Sequence, residues 1–263
     1  MHVLAIVNQK GGVGKTTTAV NLGAALAMAG HATLVVDADP QANATRSLDP
    51  TGPHGRTLYD VLVDDAVVLG DVIVTTSVPG LDVVPSSPGL AGAEIELVDV
   101  AGREARLRRA IAELGSRYTF VLIDCPPSLG LLSVNALVAA EGVIVPVQCE
   151  YLSLEGLGHL NRTLQLVQAR LNPRLHIAGL LMTMFDPRTN LSTQVVEEVG
   201  RHFPRERFTT VIPRSIRLGE APSYGETIHA YAPHSPGALA YQALAGELAQ
   251  RLGVPAAGAL VRA

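Results

Sequence analysis

Asn8-Gln9-Lys10-Gly11-Gly12-Val13-Gly14-Lys15-Thr16-Thr17 decides how this chain is read. The apolar run Val3 to Val7 precedes it and reads as a buried strand. Thr16 to Ala29 follows with helical spacing and is ended by Gly30. A glycine-rich loop between a strand and a helix turns successive backbone N–H groups toward an anion, and the helix N-terminus adds partial positive charge. Gly11, Gly12, Val13 and Gly14 supply the cradle, Lys15 reaches the β- and γ-phosphates of a nucleotide, and Thr16, followed by Thr17, offers a hydroxyl to Mg2+. The usual spacing G-x-x-x-x-G-K-[ST] is not fully met, because Gln9 stands where the first glycine belongs. An extra lysine, Lys10, stands beside it. Lys10 and Lys15 are the only lysines among 20 basic residues. A compact ammonium fits a site wrapped around phosphate where a planar guanidinium does not.

Outward from this loop, short apolar strands alternate with amphipathic helices. Strands are expected at Thr33 to Val36, Leu81 to Val84, Thr119 to Ile123, Val143 to Val147, Ile177 to Met182 and Phe208 to Ile212. Helices are expected at Arg103 to Leu114, Leu132 to Ala140, Leu154 to Leu171, Thr193 to His202 and Gly237 to Leu252. Asp49 to Arg56 and Pro85 to Gly92 read as loops from their Gly and Pro content. The alternation implies an α/β fold with a doubly wound, mainly parallel sheet and helices on both faces. With no composition break or repeat, residues 1–253 are expected to form one domain and 254–263 a short tail.

In such a sheet, ligands bind beyond the carboxyl ends of the strands. Asp37-Ala38-Asp39-Pro40-Gln41 follows the second strand, and Asp124-Cys125-Pro126-Pro127-Ser128 follows Thr119 to Ile123. Asp124 is placed to hold nucleotide-bound Mg2+, directly or through water. Asp39 is counted with Thr16 and Asp124 among the metal-site residues and is placed to orient an attacking water on the γ-phosphate. Either carboxylate alone could equally cap a helix.

Composition limits the alternatives. The chain has 263 residues, 48% hydrophobic, with a formal charge of −4. No apolar run approaches the roughly 18 residues of a membrane span. No signal segment opens the chain, and Cys125 and Cys149 lack metal-ligand spacing, so a reduced, cytoplasmic protein is expected. A pI near 6.1 confines nucleic-acid binding to a local patch.

The phosphate loop, the two aspartate segments, Pro146-Val147-Gln148-Cys149-Glu150-Tyr151 and Ile212-Pro213-Arg214-Ser215-Ile216-Arg217 together resemble the ParA/Soj chromosome-partitioning ATPases, over about Val3 to Leu252. These belong to the deviant Walker A class, related to MinD. The resemblance implies an ATP- and Mg2+-dependent sandwich homodimer in which Lys10 contacts the partner's nucleotide and Gly12 lies at the close-packed interface. Hydrolysis to ADP is slow until a ParB/Spo0J-type partner intervenes. Pro213 and Ser215 lie in the base-binding segment, where many members carry Asn in place of Ser215. Thr183 and Asp186 lie near the same rim. Glu150 matches a position that touches the ribose of the partner's nucleotide, and it could instead cap the next helix.

The resemblance also implies binding of double-stranded DNA without sequence preference, at Arg188 and Arg217, and association with the nucleoid. Such contacts need only cations and are salt-sensitive. Between Leu180 and Ala230, however, six arginines face six acids. The run Arg103, Arg106, Arg108, Arg109 reads as an exposed helix face. The chain opens almost at its first strand, so no helix-turn-helix is expected before it.

Five other functions share parts of this pattern. A MinD-like positioning ATPase would need a basic amphipathic C-terminal helix, whereas Tyr241, Leu244, Leu248 and Leu252 form a core-type stripe and the tail carries one charge; no membrane contact is expected. An iron–sulfur carrier would need bridging cysteines. A metabolic kinase or ligase would need an acceptor pocket. A non-hydrolysing module would not need both Asp39 and Asp124. An ATPase that positions a protein cargo is the remaining alternative.

Overall fold

The computed structural model describes residues 1–49, 51–52, 55–150 and 153–255. Most of the expected tail, parts of the 49–56 loop and Tyr151 lie outside the described residues.

Eight strands form one sheet: β1 (His2–Ile6), β2 (Thr33–Asp37), β3 (Val74–Thr75), β4 (Leu81–Val84), β5 (Phe120–Asp124), β6 (Gly142–Gln148), β7 (His176–Phe185) and β8 (Arg207–Pro213), in the order β3-β4-β2-β5-β1-β6-β7-β8. Every pairing is parallel except β3 with β4. The strands are apolar on both sides because both faces are covered. Along β1, Val3 and Ala5 join one core and Leu4 and Ile6 the other.

One core packs under α1 (Lys15–Met28), α2 (Asn43–Leu48) and α11 (Pro236–Arg251), through Leu22, Leu26, Leu244 and Leu248. The opposite core packs under α3 (Leu58–Val63), α4 (Leu90–Glu96), α5 (Arg106–Ala112), α6 (Leu131–Ala139), α7 (Ser153–Arg170) and α8 (Asn190–His202). Two short helices, α9 (Ile216–Glu220) and α10 (Ile228–Tyr231), lead from β8 into α11. The stripe on α11 is core as expected, with Tyr241, Leu244 and Leu248 buried.

Strand order reverses at β1, with β5 on one side and β6 on the other. The crevice at this switch point is where an open parallel sheet offers a site. Register brings the acidic strand ends together: Asp37 and Ile6 both lie opposite Asp124.

The structure departs from the sequence expectations in local detail. The helix expected over Arg103 to Leu114 begins as a single 3-10 turn, Arg103–Ala105, before α5. The expected loop Pro85 to Gly92 ends three residues early because α4 starts at Leu90. Arg106 is not on an exposed face: it is 8% exposed, donates to the Leu62 carbonyl at 2.8 Å and pairs with Asp65 at 3.1 Å. Its place on the buried stripe of α5 beside Leu107, Ala110 and Ile111 draws it in.

Candidate nucleotide site

The loop after β1 is held from both sides. The Asn8 side-chain amide donates to the Pro146 carbonyl at the end of β6 at 2.7 Å, and its oxygen accepts from the Lys10 N–H at 2.9 Å. At the end of β7, the Thr183 hydroxyl donates to the Val13 carbonyl at 2.9 Å. Between these clamps the chain takes left-handed conformations at Gly12 (φ +73) and Gly14 (φ +92), which side chains other than glycine rarely adopt. Gly14 caps α1, and no side chain bonds to that helix start. Its first-turn residues Lys15, Thr16 and Thr17 line the crevice, where the N–H groups of an uncapped helix start suit an anion.

A cavity of about 490 Å3 opens there, lined by Gly11, Gly12, Gly14, Lys15, Thr16, Thr17 and Asp39 with Pro40, Gln41, Asn43, Pro127 and Met184. Its size suits a nucleotide. A smaller cavity of about 160 Å3 shares Gly14, Thr17 and Met184 with it and continues to Pro213, Ser215 and Tyr241. The phosphate loop and the expected base segment thus form one continuous trough. Met184, at φ +53, lines both parts. A long side chain held in that conformation stores strain of about 1–3 kcal/mol, a pattern that concentrates at functional sites.

Charge in the trough is arranged for an anion. Lys15 is 7% exposed, and its ammonium donates to the Lys10 carbonyl at 3.3 Å. Burial pulls its pKa down, while Asp124, Cys125 and Asp39 pull it up. Asp124 is fully buried, and neither carboxylate oxygen has a hydrogen-bond partner of ordinary geometry. Desolvation and neighbouring Asp37 push its pKa well up, and the nearby Thr16 hydroxyl and Lys15 act against this. A buried carboxylate with two orphaned oxygens beside a threonine hydroxyl is a donor set suited to a hard divalent cation such as Mg2+. Cys125 is buried, with its thiol pushed well up by the same desolvation. Asp39 lines the cavity, and its carboxylate accepts from the Gln41 N–H at 2.9 Å.

The chain can now be set beside known proteins. The family described as an AAA domain matches residues 1–177. The sporulation initiation inhibitor protein Soj of Bacillus subtilis is 54% identical over 248 residues, which is 94% of this chain and 98% of Soj. The chromosome partitioning protein ParA of Caulobacter vibrioides is 50% identical over 254 residues, or 95% of each chain. This chain belongs to the ParA/Soj family of chromosome-partitioning ATPases. Among solved structures, a cobyrinic acid a,c-diamide synthase from Mycobacterium smegmatis with a bound ATP analogue and magnesium superposes with a TM-score of 0.83, at 40% identity over 96% of both chains.

Of the other residues singled out from the ParA/Soj resemblance, Thr183 lines the smaller cavity, and Lys10, Glu150, Asp186, Arg188 and Arg217 fall outside the trough. The Lys10 ammonium lies 3.4 Å from Glu150, whose carboxylate also meets Arg214 at 3.6 Å and the Gln148 amide at 2.7 Å. Glu150 therefore contacts the phosphate loop of its own chain here. Asp186 lines neither part of the trough and holds Arg188 in two bonds, of 2.9 and 2.7 Å, which hold its carboxyl down at about 2. Arg188 and Arg217 are both exposed. They follow the ends of β7 and β8, where Phe185 pairs with Pro213, so they share one end of one sheet edge. Among the described residues no ion pair or hydrogen bond engages the Arg217 side chain. Among the described residues no helix is long and apolar enough to cross a membrane.

Proposed function

We propose that residues 1–253 act as one ATPase domain, an ATP-dependent dimerising switch of DNA partitioning. The observation that carries this reading is the meeting of an uncapped, glycine-rich helix start with the partnerless buried carboxylate of Asp124 beside Thr16. In this reading Lys15 and the N–H groups of Gly11, Gly12, Val13 and Gly14 bind the β- and γ-phosphates, and Pro213, Ser215 and Met184 bound the base and ribose. Thr16 and Asp124 would hold Mg2+, with Asp39 near its hydration shell. Bound magnesium neutralises charge on the β- and γ-oxygens. Asp39 orients the attacking water, a task of positioning rather than covalent chemistry.

Lys10 of each copy reaches the nucleotide of the other, closing a homodimer with Gly12 at its seam. The dimer presents Arg188 and Arg217 to the phosphates of double-stranded DNA, and a ParB/Spo0J-type protein stimulates hydrolysis and releases it. The family relationship, the shared sheet edge of the two arginines and the free side chain of Arg217 support this. The protein works in the cytoplasm on the nucleoid.

The test is binding to a random-sequence duplex across a salt series, with ATP and with ADP. Salt-sensitive binding with ATP alone, weakened in Arg188→Ala and Arg217→Ala, supports the switch. No binding in either nucleotide state overturns the DNA part and moves the cargo to a protein.

A further inference from the structure

We infer that Ser86 and Thr45 are positioning residues for Asp39, setting the rate of hydrolysis without touching the nucleotide. The inference rests on the proposed role of Asp39 in orienting water.

Four buried residues at the ends of β2 and β4 and in α2 form one hydrogen-bonded network. The Ser86 hydroxyl donates to the Asp39 carbonyl at 2.7 Å, and the Ser86 N–H donates to the Thr45 hydroxyl oxygen at 2.9 Å. That hydroxyl donates to Asp37 Oδ2 at 2.7 Å, and the Thr45 N–H reaches the same oxygen at 2.8 Å. The Asp39 N–H closes the network on Asp37 Oδ1 at 3.2 Å. All four residues are less than a tenth exposed. A fully satisfied buried network of this kind fixes one geometry.

Beside this network the segment is held by the Ala38 N–H on the Asp124 carbonyl at 2.9 Å and by bonds within its own turn. The Asp39 carboxylate takes one backbone bond, from Gln41, and the turn continues into Ala42 at φ +52, a strained conformation for alanine. The direction of the carboxylate is therefore set by the backbone, and the Asp39 backbone is pinned at both ends of its own residue: its N–H by Asp37, its carbonyl by Ser86 and by the Ala42 N–H at 2.9 Å. Asp39 lines the larger cavity, whereas Ser86 and Thr45 line neither part of the trough. The shortest route from these two to the reaction runs through the Asp39 segment, which Ser86 bonds directly. A displacement of about 1 Å in a positioning group costs on the order of 100-fold in rate.

The same strand end reaches the other carboxylate. Beyond Ser86, the Ser87 carbonyl accepts from the Leu90 N–H at 2.9 Å as α4 begins, and Glu94 of α4 accepts from the Leu132 N–H at 3.4 Å in the first turn of α6. α6 follows the loop that leaves Asp124. Residues 86–94 thus tie the Asp39 turn to the Asp124 loop.

The experiment measures steady-state ATP hydrolysis and ATP affinity of the full chain for Ser86→Ala, Thr45→Val, Thr45→Ser, Asp39→Ala and Ser86→Ala combined with Asp39→Ala. Expected are a fall in kcat of about 10-fold or more for Ser86→Ala and Thr45→Val at ATP affinity within about twofold, and recovery of the rate in Thr45→Ser, which keeps the hydroxyl. In the Asp39→Ala background Ser86→Ala adds no further loss. Wild-type rates in Ser86→Ala and Thr45→Val beside an inactive Asp39→Ala overturn the inference alone. A normal rate in Asp39→Ala overturns the role of Asp39 on which it rests. Loss of ATP affinity in parallel with kcat, or Thr45→Ser as slow as Thr45→Val, marks a merely structural part and also overturns it.

Discussion

The ammonium of Lys10 and the guanidinium of Arg214 share one carboxylate, that of Glu150, at 3.4 and 3.6 Å. The lysine proposed to reach across a dimer is thus held against its own chain. All three side chains are between 40% and 57% exposed, so the pairs are screened and each is worth less than about 1 kcal/mol. Glu150→Gln is expected to raise ATP-dependent self-association by at most about fivefold, the factor that energy allows. Sedimentation at several protein concentrations reads this. A clear loss of association would instead assign Glu150 to the partner's nucleotide.

Lys15 is the buried cation of the trough, and its site is shaped for a slim ammonium. Lys15→Ala is expected to weaken binding of a fluorescent ATP analogue by more than about 100-fold, and Lys15→Arg to fail nearly as badly because the planar fork needs more room. Normal binding by Lys15→Arg would show that the loop reads charge alone.

Arg188 is occupied by Asp186, which competes with any phosphate. Asp186→Asn is expected to tighten binding to a random duplex by about two- to fivefold at low salt, and Arg188→Ala to reduce the salt slope by about one. Acid does not substitute for the mutation. A carboxyl depressed from 3.8 to about 2 keeps its contribution above the unfolded value and loses it only as pH falls toward 2, so the pair persists from pH 5 to 8. Tighter DNA binding on mild acidification that persists in Asp186→Asn would point to another group.

The sheet was legible because a parallel strand buried on both faces is a short apolar run, and the carboxyl ends of such runs carried Asp39 and Asp124. The phosphate loop was legible because glycine, lysine and threonine act there through backbone and short side chains, so their order in the chain is their order in space. Met184 carries no such signal: its left-handed conformation comes from the end of β7 and is invisible in a methionine. Ser86 and Thr45 meet only because β4 lies beside β2, and each alone is an ordinary buried polar residue. Arg106 could be read as exposed from its neighbours Arg108 and Arg109, yet one residue of rotation on α5 places it over Leu62. Glu150 was singled out only through the family resemblance, and its pairing with Lys10 depends on how the ends of β1 and β6 lie side by side.

Gly12 separates a requirement of the folded chain from a requirement of assembly. A Cβ built there meets no atom within 4 Å, so within one chain nothing excludes a side chain. Gly179 contrasts with it: a Cβ there would lie 2.0 Å from the Phe208 ring, and Gly179→Ala must displace core. What opposes a side chain at Gly12 inside the monomer is only its φ of +73, which costs a β-branched residue roughly 1–2 kcal/mol. Gly12→Val is therefore expected to fold with a slightly lower Tm and to bind ATP within about 30-fold of the parent, since strain of that size shifts an equilibrium by no more than this. In the proposed dimer the open space above Gly12 is filled by the second copy, and the valine side chain occupies it first. ATP-dependent self-association and DNA binding should then be lost together while the monomer still holds nucleotide. Gly11→Ala is the companion variant, since Gly11 also meets nothing within 4 Å but has no left-handed backbone to strain. If Gly12→Val associates normally with ATP, the seam of the dimer lies elsewhere on the molecule. If it cannot bind ATP at all, the strain reaches the phosphate cradle and the space above Gly12 says nothing about a partner.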